Sequence, residues 1–254
     1  MIIDPETKLI ISLVVGPRTA DTVVQVFTDF YDRTDGHLPA LITTDEYAVY
    51  GTVILDTYGV WWRREMGLTP EEIAEYERAG MPELYFPAET AYATVHKERQ
   101  GGRVVAVTRR VVLGSPEHVE RTLSQAERST TVNTSFVERY HGTQRQLNAR
   151  KKRKAYTFSK EVSYHAACTW LVVLWYNFGW YVRTLRQKIQ EEPPRYHHRT
   201  PAMAAGLTDH AWTMPELLGY PLYPPRDDPP PGQVRTYKDV LDRLAAVAAE
   251  AATG

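Results

Sequence analysis

Glu138 opens a run of cations in which no acidic residue recurs before Glu161. A helix is expected from the segment Asn133-Thr-Ser-Phe-Val-Glu-Arg139, continuing through Arg145 into the basic block Arg150-Lys-Lys-Arg-Lys154. One carboxylate leading into a cationic helix suits chemistry on a polyanion: the carboxylate can hold a metal while the cations hold phosphates. The same run also reads as a solvated charged face. Asp45 is the second candidate, set just past a short apolar run in Leu41-Ile-Thr-Thr-Asp-Glu-Tyr47. Glu46 beside it is a competing carboxylate. In a strand that continued through Glu46 its side chain would point to the face opposite Asp45; if the strand ends at Asp45 that argument weakens.

The elements that must position these groups follow from pattern. Leu9–Val15 is apolar and β-branched and ends at Gly16-Pro17, as a strand would. Thr19 or Asp21 can cap the next helix, in which Val23, Phe27, Phe30 and Tyr31 recur at helical spacing before Asp35-Gly36 ends it. Leu38–Ile42 then reads as a short buried strand delivering Asp45 at its carboxyl end, where open α/β sheets place ligands. Thr69-Pro70-Glu71-Glu72 is a capping box with proline at the first helical position, and Gly80 closes that helix. Tyr92–Glu98 and Val104–Val112 flank Gln100-Gly101-Gly102 as a hairpin. Ser115-Pro116-Glu117 starts a short helix.

On the helix of Glu138, helical periodicity places His141 or Gly142, Arg145 and Ala149 on the same face. Arg145 is therefore expected to contact a phosphate or to brace the helix in an internal ion pair. Phe158–Leu185 reads as a further helix whose Trp170, Trp175, Tyr176, Phe178 and Trp180 form a core stripe. Gln187–Arg199 reads as a loop, and His197-His198 there is too isolated for a metal site. A proline-rich linker, 221–233, precedes a terminal helix, 234–254, with Tyr237, Leu241, Leu244 and Val247 or Ala248 as its packing stripe.

The 254 residues suffice for one sizeable core with appendages. A formal charge of −1 makes the chain no polycation, so nucleic-acid binding must come from a local patch. The seven cations Arg139, Arg145, Arg150, Lys151, Lys152, Arg153 and Lys154 form the clearest one. The single cysteine, Cys168, excludes an intramolecular disulfide and a cysteine-cluster zinc site, and its apolar setting suggests a buried packing residue. That usage fits a reducing cytoplasm. Ala166–Val182 is short for a membrane span and carries Asn177, so a core helix is expected and no membrane.

Several segments, in order, resemble the catalytic domain of DDE transposases of bacterial insertion sequences. They are TTDEYAVY around Asp45, NTSFVER with Glu138, RKKRKAYTFSK through Lys160, Tyr176–Phe178, and RTPAMAAGLTDHAWTMPELL from Arg199 to Leu218. The resemblance implies an α/β, RNase H-like fold, a mixed sheet flanked by helices, over residues 1–220, with an insertion at about 56–115. It implies three carboxylates binding Mg²⁺ or Mn²⁺, of which Asp45 and Glu138 are two. The first, on the opening strand, is not visible, because Met1 begins almost at the turn that follows that strand in the family. Asp4-Pro5 reads as that turn. At Val182 the family often has a histidine that this chain lacks.

The implied activity is DNA transposition: metal-dependent cleavage and strand transfer of phosphodiesters, expected to be inactive in this chain because the first Asp is absent. DNA is the expected partner, and a homo-oligomer is expected when the protein is complete. Two other readings remain open: a non-catalytic DNA-binding remnant, and another RNase H-like nuclease that cleaves without joining strands.

Overall fold

The computed structural model describes residues 1–61, 69–79, 84–152, 154, 156–220 and 236–252. In chain order the elements are β1 (Ile2–Ile3), β2 (Ile10–Ser12), α1 (Ala20–Arg33), β3 (Leu41–Asp45), α2 (Val49–Tyr58), β4 (Val60–Trp61), α3 (Pro70–Arg78) and β5 (Leu84–Tyr85). Then come β6 (Ala91–Gln100), β7 (Arg103–Leu113), α4 (Pro116–Gln125), α5 (Ser135–Leu147), α6 (Val162–Leu174), β8 (Gln187–Gln190), β9 (Arg195–His197), α7 (Pro201–Ala204), α8 (Met214–Gly219) and α9 (Tyr237–Ala252). They divide between two compact units, Met1–Pro17 with Ser135–Val234, and Arg18–Thr134 with Arg235–Gly254.

The second of these units is mixed α/β. Its sheet runs β3-β6-β7, with β3 parallel to β6 and β6 antiparallel to β7. Ala91, Ala93 and Val95 of β6 face Val119 of α4, Val132 and the partly buried Leu41, Val111 and Leu123. The alternate residues project from the other face, where the Tyr92 ring lies beside Gly51 of α2. Helices thus flank the sheet. Residues 91–113, inside the 56–115 stretch, supply two of its three strands.

Local signals account for most of this unit. Thr19 caps α1 by accepting from Thr22 N, and Val23, Phe27 and Phe30 are buried at the expected spacing. Tyr31 is 44% exposed and is not part of that stripe; its ring lies on the rim against Tyr58. Thr69 and Glu72 form the expected capping box, while Gly80 lies outside the described residues. A two-residue turn, Gly101-Gly102, joins β6 to β7, both glycines at positive φ, as tight hairpins require. Ser115 caps α4.

The strand expected at Leu38–Ile42 is displaced to Leu41–Asp45. Pro39 has no N–H to donate, so the ladder starts beyond it, with Ala91 N donating to Ala40 O. Nor is the strand buried: among the described residues it lies at the edge of the sheet, and its first four residues are half-buried. In α9, Val240 is buried and Leu241 is 43% exposed, so Val240 rather than the expected Leu241 packs at that turn. The side chains of Leu244, Val247 and Ala248 lie outside the described residues, as does the linker 221–233.

Gly114 follows β7 at φ +82°, and a Cβ there would lie 2.6 Å from Thr90 O and 2.9 Å from Ala91 Cα. Left-handed backbone plus a clash with buried main chain should make Gly114→Ala cost about 2–4 kcal/mol. A Tm lowered by roughly 5–15 °C is the expected readout; an unchanged Tm would contradict this packing.

In the other unit, β1 and β2 form a separate two-stranded antiparallel sheet. The ladder is confined to Ile10–Ser12 rather than Leu9–Val15, because β1 offers only two residues to pair. Asp4 is a turn residue, as expected: its carboxylate accepts from Glu6 N at 3.0 Å and Thr7 N at 3.1 Å. Ile10 and Leu13 pack on Tyr140 of α5 and on Val173 and Tyr176.

The helix expected at Phe158–Leu185 starts only at Val162 and widens into a π turn at Trp175–Gly179. Upstream residues are taken by side-chain bonds: Thr157 Oγ1 donates to Ala149 O at 2.7 Å. Of its aromatics only Tyr176 is buried, and Trp180 is exposed. Cys168 is half-buried. Gln187–Arg199 is a hairpin, β8 against β9, rather than a loop. No helix among the described residues is long and apolar enough to cross a membrane.

Candidate nucleic-acid interface

Strand β3 ends on Asp45, which pairs in register with Val95 of β6. The Asp45 side chain is 56% exposed and accepts from Arg18 Nη2 at 3.2 Å. The Arg18 guanidinium lies over the Tyr47 ring, 4.9 Å from its centroid, and Tyr47 meets Tyr50 edge-on at 5.7 Å. The Tyr50 hydroxyl titrates above its ordinary value because burial, and then the Asp45 charge, disfavour the phenolate; Arg18 partly offsets them. The end of the strand is thus an aromatic ledge carrying one carboxylate and one guanidinium at the surface.

The sheet register separates the two adjacent acids. Paired residues share a face, so Asp45 lies with Val95 and the next residue, His96, projects from the opposite face. Glu46 hydrogen-bonds His96 Nδ1. Although the strand ends at Asp45, Glu46 thereby reaches the side opposite Asp45. Thr43 Oγ1 donates to Asn133 O at 3.1 Å, tying β3 to the segment ahead of α5.

Glu138 lies exposed in the first turn of α5, where a negative charge complements the helix dipole, and Arg145 occupies the last turn. Contrary to expectation, the helix does not run on into the basic block. It stops at Leu147, and Asn148 caps a 3₁₀ turn, Ala149–Lys151, by accepting from Arg150 N. Asparagine bonds its own neighbouring backbone and so favours leaving a helix. Ala149 consequently leaves the face expected for it.

The cations divide by exposure. Arg139, Arg145, Arg150, Lys152 and Lys154 are exposed. Lys151 is half-buried and donates to Gln144 Oε1 at 2.6 Å, and Gln144 Nε2 donates to the Tyr140 hydroxyl at 3.1 Å. Lys151 is thus bound into a buried polar chain, a role its sequence neighbours do not signal. Arg153 lies outside the described residues. His141 is held below its ordinary pKa by partial burial, then by Lys151, the amino terminus and Arg145, against the opposing pull of Glu138.

No family model matches the chain, and no curated protein or solved structure matches it. Chemistry must therefore be argued from these groups themselves. Asp45 belongs to the unit Arg18–Thr134 and Glu138 to the unit that begins again at Ser135. Each is an exposed carboxylate, the hard oxygen donor that Mg²⁺ or Mn²⁺ prefers. Among the described residues no group of three or more His, Cys, Asp or Glu side chains is arranged to hold a metal ion.

Sequence reasoning missed Arg18 and Asn177. Arg18 follows Gly16-Pro17 in a connecting segment, without periodicity to link it to Asp45. Asn177 is buried and bonds both backbone groups of Ile10, a partner far away in sequence.

Proposed function

We propose that this chain is a DDE-type transposase catalytic domain, whose reaction is to cut DNA phosphodiesters and join the freed 3′ ends to another strand, with Asp45 and Glu138 as two of the three carboxylates that reaction needs and little activity expected without the first. The observation that carries the proposal is Asp45: a solvent-facing carboxylate at the carboxyl end of a strand in a parallel pair, in a surface ion pair with Arg18. The ordered motif resemblance points the same way, and implies an RNase H-like arrangement. In-line displacement at phosphorus leaves little covalent work to the protein, so positioning and charge neutralisation dominate.

Mg²⁺ or Mn²⁺, when bound, would activate the attacking oxygen and stabilise the leaving one. Asp45 would offer carboxylate oxygens to such an ion, and the motif resemblance assigns Glu138 the same role. Arg139, Arg145, Arg150, Lys152 and Lys154 would neutralise and align the backbone. A joining assay with pre-cut ends in Mg²⁺ and in Mn²⁺ tests the reading. Joined product supports it; cleavage without joining identifies another nuclease.

The five exposed cations also favour a second reading, a DNA-binding protein without a working metal site. Both readings make the same prediction for affinity. If the five touch phosphates, log affinity for duplex DNA should fall against log salt with a slope of roughly −4 to −5. Lys152→Ala with Lys154→Ala should flatten that slope by roughly 2 and weaken all sequences alike. Salt-independent binding in a titration by fluorescence anisotropy would remove the nucleic-acid partner from either reading.

A further inference from the structure

A surface pocket of about 300 Å³ lies where the 3₁₀ turn meets the start of α6, lined by Arg150, Phe158, Ser159, Lys160, Glu161, Val162 and His165. It is a built feature. Asn148, itself buried, sets the turn by accepting from Arg150 N at 3.0 Å. Arg150 Nη1 donates to Ser159 Oγ at 3.2 Å, which holds the guanidinium at the wall. Thr157 is anchored to Ala149 O, and Phe158 beside it is left 61% exposed.

The chemistry of the lining selects a ligand. Arg150 and Lys160 bring two positive charges and Glu161 one negative, a net of +1 from these three groups. That balance suits a single phosphodiester better than the clustered charge of a triphosphate. The volume is at the lower end of the range of about 300–1,000 Å³ for small-ligand sites, room for one nucleotide. An aromatic ring exposed among cations is a stacking platform, and a base can use it only when unpaired.

We propose that this pocket is a single-strand nucleotide site: Arg150, Lys160 and His165 receive a backbone phosphate while Phe158 stacks on the attached base. The assignment rests on the nucleic-acid reading above and adds its substrate form, an unpaired strand.

The test is a fluorescence-anisotropy titration of the full chain with a labelled oligothymidylate of about 12 nucleotides and with a duplex of the same length. Phe158→Ala should weaken oligothymidylate binding about 5- to 150-fold and leave duplex binding within about twofold. Phe158→Trp should restore the affinity, with its indole emission quenched as the base stacks. Lys160→Ala should reduce the single-strand salt slope by about 0.7. An unchanged thermal transition for Phe158→Ala, expected from its exposure, keeps the comparison free of unfolding.

The site assignment is overturned if Phe158→Ala binds oligothymidylate as the parent does, or if polyglutamate competes as well as unlabelled oligothymidylate. If duplex still binds with its salt slope in those cases, only the pocket assignment falls. A chain that binds neither form of DNA overturns the general reading as well.

Discussion

Asn177→Leu should destabilise the unit built on β1, β2, α5 and α6 by about 2–6 kcal/mol. Asn177 Nδ2 donates to Ile10 O at 2.9 Å, and its Oδ1 accepts from Ile10 N at 3.0 Å. Both residues are buried, so water cannot replace either bond. The amide acts as a surrogate for a neighbouring strand, satisfying both main-chain groups of Ile10, the first residue of β2. Leucine fills a similar volume but leaves two buried backbone groups unpaired, each costing about 1–3 kcal/mol. Against a typical domain stability of about 5–15 kcal/mol this is a large fraction. With a urea m-value of about 2 kcal/mol/M, the midpoint followed by circular dichroism should drop by roughly 1–3 M. A midpoint within error of the parent would mean that Asn177 does not brace β2.

Asn177 also marks where the sequence stops being legible. Its bonds join residues 167 positions apart, and no local pattern encodes that pairing. Signals that act within a few residues were readable: the Thr19 cap, the Thr69–Glu72 box, the diglycine hairpin and Ser115-Pro116. The position of Asp45 at a strand end was readable too, because the apolar run ends just before it. The start of that strand is not legible, since Pro39 deletes a donor that hydropathy does not register.

Helix α6 failed for another reason. It is apolar on every side, so periodicity cannot say which face is covered, and aromatics expected inside lie partly in solvent. The basic block was legible as charge but not as geometry. Whether Lys151 meets solvent or Gln144 depends on where Asn148 ends the helix, a competition between a side-chain cap and one more helical turn. Glu138 was legible at its helix N-terminus as a carboxylate beside cations, but its pairing with Asp45 joins residues distant in sequence, and only the resemblance suggested that.

The largest functional effect is expected at Asp45. In protein that joins pre-cut ends, Asp45→Asn should lower the joining rate about a thousandfold or more, equivalent to about 4 kcal/mol of lost transition-state stabilisation. The amide keeps the shape but loses the charge that makes the side chain a ligand for a hard cation. Glu138→Gln should do the same, and duplex affinity should persist in both because the exposed cations are untouched. Stability should barely change, since the Arg18–Asp45 pair is largely exposed and such pairs contribute about 0–1 kcal/mol. Arg18→Ala supplies the decisive comparison. It breaks the same ion pair while leaving the carboxylate in place, so it should retain joining within about tenfold of the parent, a barrier change of no more than about 1.4 kcal/mol. If Arg18→Ala were as inactive as Asp45→Asn, the ion pair would be what activity requires, and Asp45 would lose its assignment as a metal ligand. Full joining by Asp45→Asn would remove that assignment outright.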